Sequence, residues 1–86
     1  MRQLILYSRH GCCLCAGLEE RLRALDLQRL DLRLAVVDID GPSVPAALKA
    51  RYDMEVPVLA IEGCELPRVS PRLGGEALEK WLFRNV

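Results

Sequence analysis

Residues 4–15 read LILYSRHGCCLC and join a strand-like segment to the start of a helix. The run LILYS is apolar on both faces, which is typical of a central strand that helices cover. It breaks at Gly11, and beyond Cys12 leucines recur every three or four residues, which indicates an amphipathic helix. The leucines expected on the buried face of this helix are Leu14, Leu18, Leu22 and Leu25.

Cys12 and Cys15 form a C-x-x-C pair at this junction. The first turn of a helix has unpaired backbone N–H groups and partial positive charge, and this field favours thiolate over thiol. With Cys12 opening the helix, the Cα atom of Cys15 lies one turn further on, at about 5–6 Å, which a disulfide accepts. The junction therefore predicts a redox-active disulfide in a small thiol–disulfide protein.

The composition of the 86 residues indicates one domain with its own core. Twelve basic residues balance twelve acidic ones, so the charge gives no reason to expect a nucleic-acid or anionic-membrane partner. No apolar run approaches the roughly 20 residues that span a bilayer. Three of the four cysteines fall within four positions, which points to catalytic or metal-binding use in a reducing compartment. Because no signal peptide is recognisable before the first strand, we expect a cytoplasmic location.

The rest of the chain predicts three more strands and two more helices. A second strand is expected near residues 32–39, and Ser43 is the expected N-cap of a short helix through Tyr52. The remaining elements are a strand over 57–61, a turn at Glu62-Gly63, a weaker edge strand over 64–70 interrupted by Pro67, and a last helix after Gly74-Gly75 with Leu78, Trp81 and Leu82 on its apolar face. The predicted fold class is α/β, of order β-α-β-α-β-β-α, with a mixed four-stranded sheet and helices on both faces.

These elements resemble the thioredoxin-fold superfamily, and within it the small glutaredoxin-like proteins of bacteria. The resemblance rests on the strand–Cys12-x-x-Cys15–helix unit, on the order of the elements, and on Val56-Pro57 before the third strand. It spans nearly the whole chain and implies a single glutaredoxin-like domain over residues 1–86. It also implies that Cys12 is the nucleophile, Cys15 the resolving thiol, and Pro57 a cis-proline that shapes the substrate groove.

The activity that the resemblance implies is thiol–disulfide oxidoreduction in electron transport, on protein disulfides or glutathione mixed disulfides. An X-Pro bond has a cis penalty of only about 0.5–1 kcal/mol, and a cis bond would leave the N–H and C=O of Val56 free for an extended peptide or glutathione. Arg9, beside the motif, is a candidate for a bidentate contact with a substrate carboxylate. We expect a monomer that requires no cofactor and no metal ion, with glutathione as one candidate electron donor.

The same region of the sequence is also compatible with two other functions, a metal- or cluster-binding module and a redox-inert adaptor. Cys12, Cys13, Cys15 and His10 could supply ligands for zinc, or a dimer could share an iron–sulfur cluster between its Cys12 thiolates. A redox-inert adaptor could instead use the proline groove to bind a strand of a partner. Cys13 is either a small residue packed at the helix start or an accessory thiol. Cys64, beyond the far end of the third strand, is expected about 15–20 Å from the cluster.

Overall fold

Four strands and three α-helices make up the fold, in a computed structural model that describes all 86 residues. None of the helices is both long enough and apolar enough to span a bilayer. The elements in chain order are β1 (Arg2–Ser8), α1 (Cys13–Arg23), a 3-10 helix (Leu27–Leu30), β2 (Leu32–Asp38), α2 (Ala46–Tyr52), β3 (Val58–Ile61), β4 (Cys64–Glu65) and α3 (Gly75–Asn85).

The strands form one sheet in the order β2-β1-β3-β4. β1 runs parallel to β2, with Leu6 opposite Val36, and antiparallel to β3, with Leu6 opposite Leu59. β4 adds to β3 as an antiparallel hairpin, across the turn predicted from the sequence. The predicted α/β class, element order and mixed four-stranded sheet are therefore confirmed.

Side chains alternate between the two faces of the sheet, and helices cover both faces. On one face, ten buried residues form the main core, to which α1 contributes Leu18 and Leu22 and α3 contributes Leu82. On the other face α2 packs through Tyr52, whose ring stacks on that of Tyr7 in β1 with 4.8 Å between centroids. The central strand β1 is thus enclosed between helices, as its apolar sequence predicted.

The start of α2 differs from the prediction. The helix begins at Ala46, and its N-cap is Pro45 rather than Ser43. No side chain caps this end. Proline is tolerated at the entry to a helix because its φ is fixed near the helical value and the first N–H groups have no intrahelical partner.

The edge strand β4 is also shorter than predicted. It ends at Glu65 instead of continuing to Ser70. The N–H of Leu66 donates the last hairpin hydrogen bond, at 2.8 Å to the carbonyl of Leu59. Pro67 follows and has no N–H with which to extend the ladder.

The apolar face of α1 is narrower than the leucine spacing suggested. Leu18 and Leu22 are buried in the main core, but Leu14 is 52% exposed in the first turn. Leu25 lies beyond the last residue of the helix and packs against the core from there. Trp81 of α3 packs, partly buried, against the same core, which matches its predicted place.

Candidate active site

The loop between β1 and α1 presents Cys12 at the start of the helix. Gly11 turns the chain with a φ of +82°, a left-handed conformation that glycine adopts without a Cβ penalty. Cys12 then forms the N-cap of α1, and its Sγ atom accepts a hydrogen bond from the N–H of Cys15 at 3.2 Å. The sulfur therefore takes the place of the side-chain oxygen that usually caps a helix, at the positive end of the peptide dipoles.

Cys12 and Cys15 are joined by a disulfide, with 5.2 Å between their Cα atoms. This distance lies in the range that the C-x-x-C spacing predicted. The two residues differ in their access to solvent, because Cys15 is 0% exposed whereas Cys12 is partly exposed. Cys12 is consequently the member of the pair that solvent can reach.

The segment between α2 and β3 brings Val56 and Pro57 to the same end of the sheet. β3 is antiparallel to β1, so the residues before β3 lie beside the end of β1, and the Val56–Pro57 peptide bond is cis. Pro57 lines a cavity of about 140 Å³ together with Leu14, which lies between the two cysteines. The sequence led us to expect a free N–H at Val56, but the structure differs. This N–H donates to the carbonyl of Tyr52 at 3.2 Å. The carbonyl of Val56 accepts no hydrogen bond within the chain.

Arg9 is held by aspartates of two other loops. Its Nε and Nη2 atoms donate to the carboxylate of Asp40, in the turn after β2, at 2.8 and 3.3 Å. Its Nη1 and Nη2 atoms donate to the carbonyl and the carboxylate of Asp53, in the turn after α2, at 2.9 and 2.5 Å. Lys49 adds a second ion pair to Asp40 at 3.0 Å. Arg9 therefore ties the cysteine loop to the segment that leads to Pro57, and the chain itself occupies its donors.

These contacts fix the charges around Arg9. The hydrogen bond from Arg9, and after it the one from Lys49, holds the pKa of Asp40 below its ordinary value. The hydrogen bonds to Asp40 and Asp53 in turn raise the pKa of Arg9. Sequence reasoning singled out Arg9 and missed both aspartates. The contact between Arg9 and Asp40 could have been predicted from their positions after β1 and β2. These strands are parallel, and parallel strands end at the same edge of a sheet.

A second and larger cavity, of about 430 Å³, opens beside Cys12 on the side of β2. Cys12 and Cys13 line it together with His10, Glu19 and Asp38. The thiol of Cys13 is free and exposed rather than packed against its neighbours. The disulfide-bonded sulfur of Cys12 and the free thiol of Cys13 therefore belong to residues that line the same cavity.

Cys64 lies at the opposite end of the sheet. It stands opposite Ile61, which stands opposite Leu4 near the start of β1, whereas the active-site cysteines follow the end of β1. This placement agrees with the predicted separation of Cys64 from the cluster. Within the chain, no three His, Cys, Asp or Glu side chains are brought together in an arrangement suited to a metal ion.

A mixed four-stranded sheet with a C-x-x-C disulfide at the junction of β1 and α1 defines a protein of the thioredoxin-fold class and supports a thiol-redox role. The model of the family described as "Glutaredoxin-like domain (DUF836)" matches residues 3–83. Because this match covers almost the entire chain, the protein belongs to that glutaredoxin-like family. No curated protein and no solved structure matches the chain.

Proposed function

We propose that the protein is a dithiol oxidoreductase that reduces disulfides of proteins or mixed disulfides of glutathione. The observation that carries the proposal is the asymmetry of the pair. Cys12 is partly exposed at the N-cap of α1, while Cys15 is fully buried one turn later. A two-step exchange needs an accessible attacking thiolate and a resolving thiol within reach of the mixed disulfide, and the burial of Cys15 leaves the attack on substrate to Cys12.

In the first step the Cys12 thiolate attacks one sulfur of the substrate disulfide. A Cys12–substrate disulfide forms, and the other half of the substrate leaves as a thiolate, which takes up a proton from water. In the second step the thiol of Cys15 loses its proton and attacks Cys12 Sγ, so that the second half of the substrate leaves. The products are two substrate thiols and the oxidised Cys12–Cys15 pair, which accounts for the two electrons transferred.

Two features of the site favour negative charge on Cys12 Sγ. The sulfur lies at the N-terminus of α1, and the N–H of Cys15 donates to it. Both interactions favour thiolate over thiol, and they act on Cys12 as attacking group and as leaving group alike. Cys15, which is buried, lacks the exposure that would let it compete for substrate.

The substrate groove that we propose runs along Val56 and Pro57. Leu14 and Pro57 supply apolar surface beside the disulfide, and the carbonyl of Val56 can accept one hydrogen bond from an extended segment. A substrate carboxylate bound by Arg9 would have to compete with Asp40 and Asp53 for its donors.

We also propose glutathione as the electron donor. Two glutathione thiols would reduce the Cys12–Cys15 disulfide in two exchange steps and leave as glutathione disulfide. The proposal predicts that the fraction of oxidised pair follows the ratio of glutathione to its disulfide in a buffer series.

The assignment of Cys12 and Cys15 is tested by exchange assays on single serine variants, with Cys64→Ser as the matched control. Cys12→Ser should abolish reduction of a disulfide peptide, because the exposed thiols that remain, those of Cys13 and Cys64, do not lie at the N-cap of α1. Cys15→Ser should accumulate a mixed disulfide with the substrate, visible by mass spectrometry. Cys64→Ser should react at the wild-type rate, since Cys64 lies at the far end of the sheet. Full activity in Cys12→Ser would show that the assignment is wrong.

A further inference from the structure

The cavity beside Pro57 is lined by two arginines in addition to its apolar residues. Arg21 of α1 and Arg68, which follows β4, border the same space of about 140 Å³ as Leu14 and Pro57. No Asp or Glu lines this cavity. It shares no lining residue with the larger cavity on the side of β2.

Neither arginine has a carboxylate partner. The ion pairs of the chain that involve arginine are made by Arg9, Arg23, Arg29 and Arg51. Arg68 donates from Nη1 only to the backbone carbonyl of Glu55, at 2.7 Å. A carbonyl satisfies a donor but does not neutralise the guanidinium, so this charge is open to an anion.

Arg21 is held in place but incompletely satisfied. Its Nη1 donates to the carbonyl of Pro71, and its Nε is buried without a hydrogen-bond acceptor. A Cβ at position 74 would approach Cδ of Arg21 to 3.2 Å, so Gly74 leaves room for the stem of this side chain. The carbonyl of Pro71 does not neutralise the positive charge of Arg21, so this guanidinium can pair with an anion in the cavity.

The larger cavity on the other side of Cys12 has the opposite character. Glu19 and Asp38 line it, and its arginine, Arg9, is already engaged by Asp40 and Asp53. The cavity that Cys12 lines therefore contains two carboxylates, whereas the cavity that Leu14 of the same motif lines contains two arginines without carboxylate partners. A substrate with a negative group near its disulfide is favoured in one orientation only.

We propose that Arg21 and Arg68 form a carboxylate-binding subsite, which selects disulfides that carry a carboxylate a few bonds from the sulfur attacked by Cys12. The inference rests on the proposed oxidoreductase function and adds its substrate class. The carboxylate could belong to a small thiol or to an acidic side chain of an extended protein segment. The chemistry of recognition is the same for both sources, namely a guanidinium–carboxylate contact beside an apolar groove.

The test compares three small disulfides that differ in end-group charge: 3,3′-dithiodipropionate, bis(2-hydroxyethyl) disulfide and cystamine. Each rate is divided by the rate at which dithiothreitol reduces the same disulfide, which removes differences in intrinsic reactivity. The wild type should reduce the dicarboxylate fastest and the diamine slowest. Arg68→Gln should lower the ratio of dicarboxylate to neutral rate about two- to fivefold, the size expected of an exposed ion pair. Arg68→Lys should restore part of the preference.

Controls separate the subsite from the rest of the protein. Arg84→Gln removes an arginine that lines a different cavity, on α3, and should leave the three rates unchanged. Arg21→Gln should act in the same direction as Arg68→Gln, and because Arg21 also contacts the segment before α3, its circular dichroism is recorded first. Salt at 0.5 M should shrink the wild-type preference, since it screens charges that solvent reaches. An equal ratio in wild type and Arg68→Gln overturns the subsite even if the neutral disulfide is reduced normally.

A second readout does not depend on disulfide reduction. Reduced protein is alkylated with iodoacetate or with iodoacetamide, which differ in charge but are similar in size. The subsite predicts a higher iodoacetate-to-iodoacetamide ratio at Cys12 than at Cys64 of the same molecule, and loss of that excess in Arg68→Gln. Loss of all turnover with the excess retained would contradict the oxidoreductase but not the subsite. Absence of the excess in wild type contradicts the subsite.

The source of the carboxylate is decided by two further pairs of substrates. One pair consists of peptide mixed disulfides with Glu or Gln two residues from the cysteine, and the other of glutathione disulfide and its ester. A preference that depends on Arg68 for the Glu peptide indicates an acidic protein segment. The same dependence for glutathione disulfide over its ester indicates a small thiol. Dependence in neither pair overturns the proposal.

Discussion

The geometry of the active-site loop can be tested by replacing glycine with alanine at two positions, Gly11 and Gly17. We expect opposite changes in the free energy of unfolding at the two positions. Gly11, just before Cys12, has a φ of +82°, whereas Gly17 lies inside α1. At both positions a Cβ atom would meet no atom within 4 Å, so an added methyl group clashes with nothing. The change in free energy of unfolding is therefore set by the backbone alone.

The expected magnitudes follow from this difference. Gly11→Ala forces an L-residue into the left-handed region and should lower the free energy of unfolding by about 1–2 kcal/mol. Gly17→Ala replaces a glycine in a helix interior and should raise it by about 0.5–1 kcal/mol. In a domain of this size each kcal/mol corresponds to a change of about 4–8 °C in Tm.

The assay is urea unfolding of the oxidised proteins, followed by far-UV circular dichroism. Both variants should shift the midpoint, in opposite directions, with the wild-type denaturant slope. Gly11→Ala should also slow thiol exchange, because the loop positions Cys12 at the N-cap, while Gly17→Ala should leave the rate within twofold of wild type. A neutral or stabilising Gly11→Ala would refute the left-handed turn before Cys12. A destabilising Gly17→Ala would refute the open surroundings of the helix.

Three further substitutions test the core and the Arg9 contacts. Leu22→Ala should lower the free energy of unfolding by about 2–5 kcal/mol, because Leu22 is 0% exposed in the main core. Leu14→Ala, on the same helix but 52% exposed, should cost less than about 1 kcal/mol in the same urea titration, and equal losses would contradict the packing of α1. Asp40→Asn should lower the Tm at pH 7, and this difference from wild type should shrink as the pH falls. The lowered pKa of Asp40 means that its contribution is complete above the unfolded-state pKa, about 3.9, and is lost as the pH falls through the folded-state value. A difference in Tm that does not change between pH 7 and pH 2.5 would contradict this sign.

The elements around the cysteines were predictable because their signals are local. An apolar run, a glycine and a leucine repeat lie within about two dozen residues, and each acts on its own neighbourhood. The separation of Cys12 and Cys15 follows from helix geometry alone, and the observed 5.2 Å agrees with it. The order of strands followed from connection rules that hold for most α/β folds.

The predictions that were wrong concern where one element covers another. Leucine spacing placed Leu14 on the apolar face of α1, but nothing packs over that first turn, and Leu14 is exposed. Residue preference favoured Ser43 as a cap, whereas the chain enters α2 at Pro45. Periodicity states which side chains share a face and does not state how far the neighbouring element extends.

From its sequence alone the chain determines the thiol chemistry: a strand, a turn at Gly11, and Cys12 and Cys15 one helical turn apart. Only the tertiary structure decides what surrounds that chemistry. Arg9 donates hydrogen bonds to Asp40 and Asp53, which lie 31 and 44 residues further along the chain. Arg21 lies on α1 and lines the same cavity as Pro57 and Arg68, which belong to later segments of the chain. The physical reason is that local conformation depends on near neighbours in the chain, whereas these charges are brought together when the sheet and its helices bury their apolar faces against one another.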